Sequence, residues 1–165
     1  MEKEKQNVSA SADREIVISR VLSAPQELVW EAMTDPKHLV HWYGPTGFST
    51  TIEEMDLRPG GNWNHTMCGP DGADHPNRSV FIEVVKPERL SFSHGGRMKG
   101  GPEVNFIGTW TFEAVADGKT KITIHMVFPT ASERDKVVQE YGAIQGGKQT
   151  LKRLDGHLAE MIAAA

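Results

Sequence analysis

The chain has 165 residues, of which 38% are hydrophobic and 24% charged, the size and make-up of one ordinary globular domain. Its formal net charge is −4 and its pI about 6.0, which argues against nucleic acid or an anionic membrane as partner, since both favour a basic surface. A single cysteine, Cys68, excludes an intrachain disulfide, and no apolar run is long enough to span a bilayer.

Residues 1–12 are polar and are expected to be a flexible tail, with one domain over residues 13–163. The first residues, MEKEKQNVSASADRE, have no apolar core, so no signal peptide is expected and a cytoplasmic location is the default. The β-branched run Arg14–Leu22 predicts a strand. Ser23 and Gln26 fit a capping box for a short helix carrying Leu28, Val29 and Ala32 at helical spacing. A second short helix follows, with Asp35 as N-cap and Pro36 in its first position, stopped by Gly44 and Pro45.

From Phe48 the pattern changes to strands separated by turn signals. Six are predicted: FSTTIEEMDL, NWNHTMC, RSVFIEVV, RLSFSH, VNFIGTWTFEAV and KTKITIHMVF. Asp117-Gly118 is a strong hairpin signal before the last of them. After Pro129 the period turns helical again. Ser132 with Asp135 fits a second capping box, and Ile144, Leu151, Leu154, Leu158 and Met161 fall on one face of a long C-terminal helix. Strand, two short helices, a run of strands and a long helix make an α+β fold. An antiparallel sheet with one covered face buries both by curling round the helix, and incomplete contact leaves a cavity between them.

Several stretches now fit together. SRVLSAPQELVWEAMTDPKHLVHWYGP, DLRPGGNWNHTMCGPDG, VVKPERLSF and GGKQTLKRLDGHL, in this order, resemble the START-like (helix-grip, SRPBCC) superfamily. Within it they are similar to the domain named after the activator of the heat-shock-protein-ninety ATPase. The resemblance spans nearly everything from Arg14 to Met161. It implies a helix-grip fold, a curved antiparallel sheet of about six or seven strands around the long C-terminal helix. It also implies a cavity for a lipophilic molecule. Many such domains place a Gly-Trp pair early in the last helix; here the corresponding pair is Gly146-Gly147, which leaves out the indole.

Alternation predicts which side chains face inward, and the cavity-lining candidates are Trp42, Trp63, His65, Met67, Phe92, His94, Phe106, Trp110, Ile124 and Met126. Aromatic and methionine stripes also fill ordinary cores. His65 and His94 are the titratable members and the candidate polar groups that orient a ligand. Each histidine is otherwise expected to be hydrogen-bonded to backbone or water. No metal is expected: His65 and Cys68 differ in parity on one strand and point to opposite faces, and no ligand motif supports them. No cofactor is expected either, and no nucleophile motif is present. Gly95–Gly101, with glycines at both ends, reads as a hairpin connection or as a mobile gate to the cavity.

Three functions stay open. The first is binding of a small hydrophobic molecule, exact ligand unknown. The second is an enzyme, a cyclase, hydrolase or lyase, acting on a lipophilic substrate in the same cavity, with His65 or His94 as general acid or base. The third is a protein-binding module that stimulates a chaperone ATPase, as the family's name suggests. A homodimer is compatible with each.

Overall fold

In the computed structural model, residues 12–97 and 103–165 are described. The tail expected at residues 1–12 lies outside them except for Ala12, and of Gly95–Gly101 residues 98–101 lie outside, while Gly95, Gly96 and Arg97 continue the preceding strand instead of starting a connection. The strands are β1 (Glu15–Leu22), β2 (Ser49–Met55), β3 (Asn62–Cys68), β4 (Asp74–Val85), β5 (Arg89–Arg97), β6 (Glu103–Val115) and β7 (Lys119–Val127). The helices are α1 (Gln26–Thr34), α2 (Pro36–Trp42), α3 (Ala131–Tyr141) and α4 (Ala143–Ala164). All neighbouring strands pair antiparallel in one open, curved sheet of order β1-β7-β6-β5-β4-β3-β2. The helix-grip architecture implied by the sequence is therefore present.

The strands form where one face can be buried. In β4 buried and exposed residues alternate over nine positions, the pattern of a half-covered strand. The inner face meets α4 through Leu151, Leu154 and Leu158, all buried. The α1 helix closes the far end, with Trp30 against Phe112 at a ring separation of 5.0 Å. Burying a side chain such as Leu154 stabilises the fold by roughly 1.5–3 kcal/mol.

Local chemistry explains the boundaries. Asp35 caps α2 by accepting from the Lys37 N–H at 2.9 Å, with Pro36 in the first turn. Both predicted capping boxes are corrected. Pro25 precedes α1 without a side-chain cap, and Gln26 instead donates to the Phe112 carbonyl at 2.8 Å, tying α1 to β6. The cap of α3 is Thr130, which accepts from the Glu133 N–H at 3.0 Å, two residues before Ser132. Strand β4 begins at Asp74 rather than Arg78. Pro76 is tolerated because its pairing is with Thr66 of β3, and pairing with β5 starts only at Asn77.

Two contacts fix α4 over the sheet. Arg20 of β1 pairs with Asp155 at 3.2 Å. Arg153 reaches the segment after α2 and donates to the carbonyls of Gly44 at 2.8 Å, Pro45 at 3.1 Å and Phe48 at 3.2 Å. A second guanidinium nitrogen donates to the His41 carbonyl at 3.4 Å. One side chain thus gathers four carbonyls, that of His41 in the last turn of α2 and three in the segment that follows it.

Candidate ligand cavity

The N-terminal turns of α4, residues 42–45 and the inner face of the sheet line an open-mouthed cavity of about 260 Å³. Its wall is mostly apolar. Ile18 comes from β1, Met67 from β3, Phe106 and Trp110 from β6, and Ile124 and Met126 from β7. Trp42 and Tyr43 come from the end of α2; Gly146, Gly147 and Leu151 come from α4. Trp42 is fixed by its indole N–H, which donates to the Ala32 carbonyl at 2.9 Å.

Glycine decides the packing at two places. A Cβ at Gly108 of β6 would lie 2.6 Å from the Phe92 ring, so the missing side chain leaves room for that ring over the neighbouring strand. A Cβ at Gly147 would lie 2.4 Å from Ile18 Cδ1, so β1 and α4 approach through a side chain on one and none on the other.

Among the described residues the polar groups of the wall are few and neutral. They include the Tyr43 hydroxyl, the Asn77 amide, His94 and Thr150, whose hydroxyl donates to the Gly146 carbonyl at 2.8 Å. None of the described lining residues is Asp, Glu, Lys or Arg. His94 stacks on Phe106 at 4.4 Å, and its Nδ1 lies 3.4 Å from the Ser79 hydroxyl. Burial lowers its pKa to about 4, because the charged imidazolium would lose its hydration. Burial likewise raises the Tyr43 hydroxyl above its ordinary range. Near neutral pH His94 is uncharged and Tyr43 keeps its proton.

Of the ten residues proposed from sequence, Trp42, Met67, His94, Phe106, Trp110, Ile124 and Met126 line the cavity. Trp63, His65 and Phe92 lie behind the wall, each almost wholly buried. His65 stacks on Trp63 at 4.8 Å and meets Tyr43 edge-on at 5.3 Å. Neither ring nitrogen of His65, nor the Trp63 indole N–H, has a hydrogen-bond partner among the described protein groups. Desolvation, with a smaller contribution from a charge on His94, lowers the His65 pKa to about 3. Tyr43 and Asn77 line the cavity without having been singled out. Tyr43 was legible only as part of a Trp-Tyr-Gly-Pro motif, and Asn77 fell before the predicted start of its strand.

Cys68 pairs across from Ser49 and Asp74, away from His65. Desolvation and the hydrogen bond to Asp74 raise its thiol pKa, the wrong direction for a nucleophile. Among the described residues no three histidine, cysteine or acidic side chains converge to hold a metal ion. Among them, too, no helix is long and apolar enough to cross a membrane.

Comparison with known proteins agrees with this geometry. Residues 23–159 match the family described as Activator of Hsp90 ATPase homolog 1-like protein. A crystal structure of a protein from Nitrosomonas europaea is 27% identical, with a TM-score of 0.79, covering 92% of this chain and 98% of that one. A solution structure from Arthrobacter aurescens is 25% identical, with a TM-score of 0.82 and coverage of 92% and 90%. A crystal structure from Chromobacterium violaceum is 28% identical, with a TM-score of 0.75 and coverage of 88% and 96%. Serine hydroxymethyltransferases of Prochlorococcus marinus are 31% identical over 56% of this chain, which spans only 23% of their length.

Proposed function

The chain belongs to the family of Activator of Hsp90 ATPase homolog 1-like proteins, and from that premise we propose that it binds a small, uncharged, lipophilic molecule between α4 and the sheet. One observation carries the reading: the cavity of about 260 Å³ has an aromatic and aliphatic wall with a few neutral polar groups. Such a wall favours apolar surface, and its polar groups orient what enters. A charged ligand would lose its hydration without finding a counter-charge, a cost of several kcal/mol or more. The volume lies just below the range of roughly 300–1,000 Å³ common for ligand pockets, which favours a compact molecule. Trp42, Phe106, Trp110 and Met126 supply flat contact area; Tyr43, Asn77 and His94 supply hydrogen bonds.

Native mass spectra of the freshly purified chain, beside denatured spectra, test this. A few hundred daltons of extra mass, lost on denaturation and reduced in Trp110→Ala, is the expected result. Equal retention by Trp110→Ala, with the fold intact by circular dichroism, would place the molecule elsewhere. A bare mass would turn attention to the protein partner in the family's description, for which a pull-down with the Hsp90 chaperone is the direct assay. The same spectra read the oligomeric state.

A further inference from the structure

A histidine cluster lies outside the cavity, where α1, α2 and α4 meet. Glu31 comes from α1, His38 and His41 from α2, and His157 from α4. His38 Nδ1 and His157 Nε2 meet head-on at 3.0 Å, a hydrogen-bond distance, and His38 Nε2 lies 3.1 Å from the Glu31 carboxylate. The His41 ring stacks on the His157 ring, 5.6 Å away and inclined by 18°. His38 and His157 are half-buried and His41 is exposed. Besides Glu31, the charged groups that face the cluster among the described residues are Arg153, which donates to the His41 carbonyl, and Glu160, both from α4.

The state of this contact depends on how many protons it holds. With both rings neutral, one nitrogen donates and the other accepts. A first added proton leaves the bond whole: His38 as imidazolium donates from Nε2 to Glu31 and from Nδ1 to the lone pair on His157 Nε2. A second, on His157, takes that lone pair away. Two N–H groups then face each other at hydrogen-bond distance on rings of like charge. His41, once charged, sets a third positive ring against His157. Burial, then the charges of His38 and His41, lower the His157 pKa against an opposing pull from Glu160. His157 therefore charges only below the ordinary histidine value of about 6.5.

We propose that His38, His157 and His41 form an acid-sensitive clasp, which ties α2 to α4 while His157 is neutral and lets go when His38 and His157 are both charged. The folded His157 binds its proton less readily than the unfolded chain does. The clasp's contribution is therefore full above pH 6.5 and is lost as pH falls below it. Arg153, one helical turn before His157, is the other tie between the two helices and keeps its charge throughout. Acid thus loosens α2 without freeing it. His41 is followed directly by Trp42 and Tyr43, so this movement reaches one wall of the cavity, whatever the cavity holds.

Amide hydrogen exchange on the full chain at pH 7.5 and 5.5, corrected for intrinsic exchange rates, tests the clasp. The amides of Leu39 and Tyr43 report on α2 through their bonds to the Asp35 and Leu39 carbonyls. Those of β6 serve as the internal reference, which cancels any loss of global stability. In the parent, α2 should lose protection by about fivefold or more relative to β6 at the lower pH, the factor expected for one lost hydrogen bond. In His157→Gln the ratio should stay flat, since an uncharged amide can donate to or accept from His38 at either pH. His38→Gln should flatten it too, and near-ultraviolet circular dichroism checks that both variants fold. An unchanged ratio in the parent, or an equal loss in the parent and in His157→Gln, would overturn the proposal.

Discussion

Acid should destabilise this protein through two rings that face its interior. His65 and His94 have pKa values of about 3 and about 4 in the folded chain, against 6.5 for an unperturbed histidine. Below pH 6.5 the unfolded chain takes up protons at both positions while the folded chain does not. Stability is therefore full above that pH and falls as pH drops through the window from 6.5 toward 3. At pH 5 each group is about 1.5 pH units below its unfolded pKa and still neutral when folded. At 1.36 kcal/mol per unit this removes about 2 kcal/mol for each ring, or about 4 kcal/mol together relative to pH 7.5. Against a total stability of roughly 5–15 kcal/mol that is a large fraction. Urea unfolding followed by tryptophan fluorescence at pH 7.5 and pH 5 measures it directly. In His65→Phe the fall between the two conditions should shrink by about 2 kcal/mol, and in the double variant with His94→Phe by about 4 kcal/mol. At pH 7.5 His65→Phe should be neutral or stabilising, since it replaces unpartnered polar atoms with apolar surface. Parallel pH curves for the parent and the double variant would refute the reasoning.

Two further substitutions probe how α4 is held. Arg153→Ala removes the donor to four carbonyls and should cost about 2–4 kcal/mol in a urea titration, with Arg153→Lys recovering only part, because an ammonium cannot fork across them. Gly147→Ala should change sign with its neighbour. Alone it crowds Ile18 Cδ1 and destabilises. In an Ile18→Val background, which lacks that atom, it should stabilise by about 1 kcal/mol through helix propensity, read as a shift in thermal midpoint.

Most of the sheet was legible because one face of each strand is buried. NWNHTMC is bounded by turn residues and alternates throughout, and β3 runs over the same seven residues. Where local chemistry was ambiguous the reading slipped. The third strand was expected to begin at Arg78, yet β4 begins at Asp74 and takes in Pro76 where only β3 pairs with it. Both capping boxes matched a short pattern that recurs by chance, and the neighbouring Thr130 won at α3 because its hydroxyl reaches the Glu133 N–H. The cavity wall was legible as far as strand parity carried it. Parity says which side chains face inward but not how deep they lie, so Trp63, His65 and Phe92 could not be told from Trp110 and Phe106. Tyr43 follows a helix end and has no parity at all.

The absence of charge among the described residues of the cavity wall also bears on how a molecule would be chosen on the way in. A charged site reaches out through solvent over a screening length of about 8 Å at physiological salt and draws its ligand by attraction. A neutral wall has no such reach. Capture then rests on random encounter and on the readiness of the solute to shed water. Association would be nearly indifferent to ionic strength, and its thermodynamic mark would be a negative heat-capacity change. Between two solutes of equal size and shape, the less hydrated one would be retained.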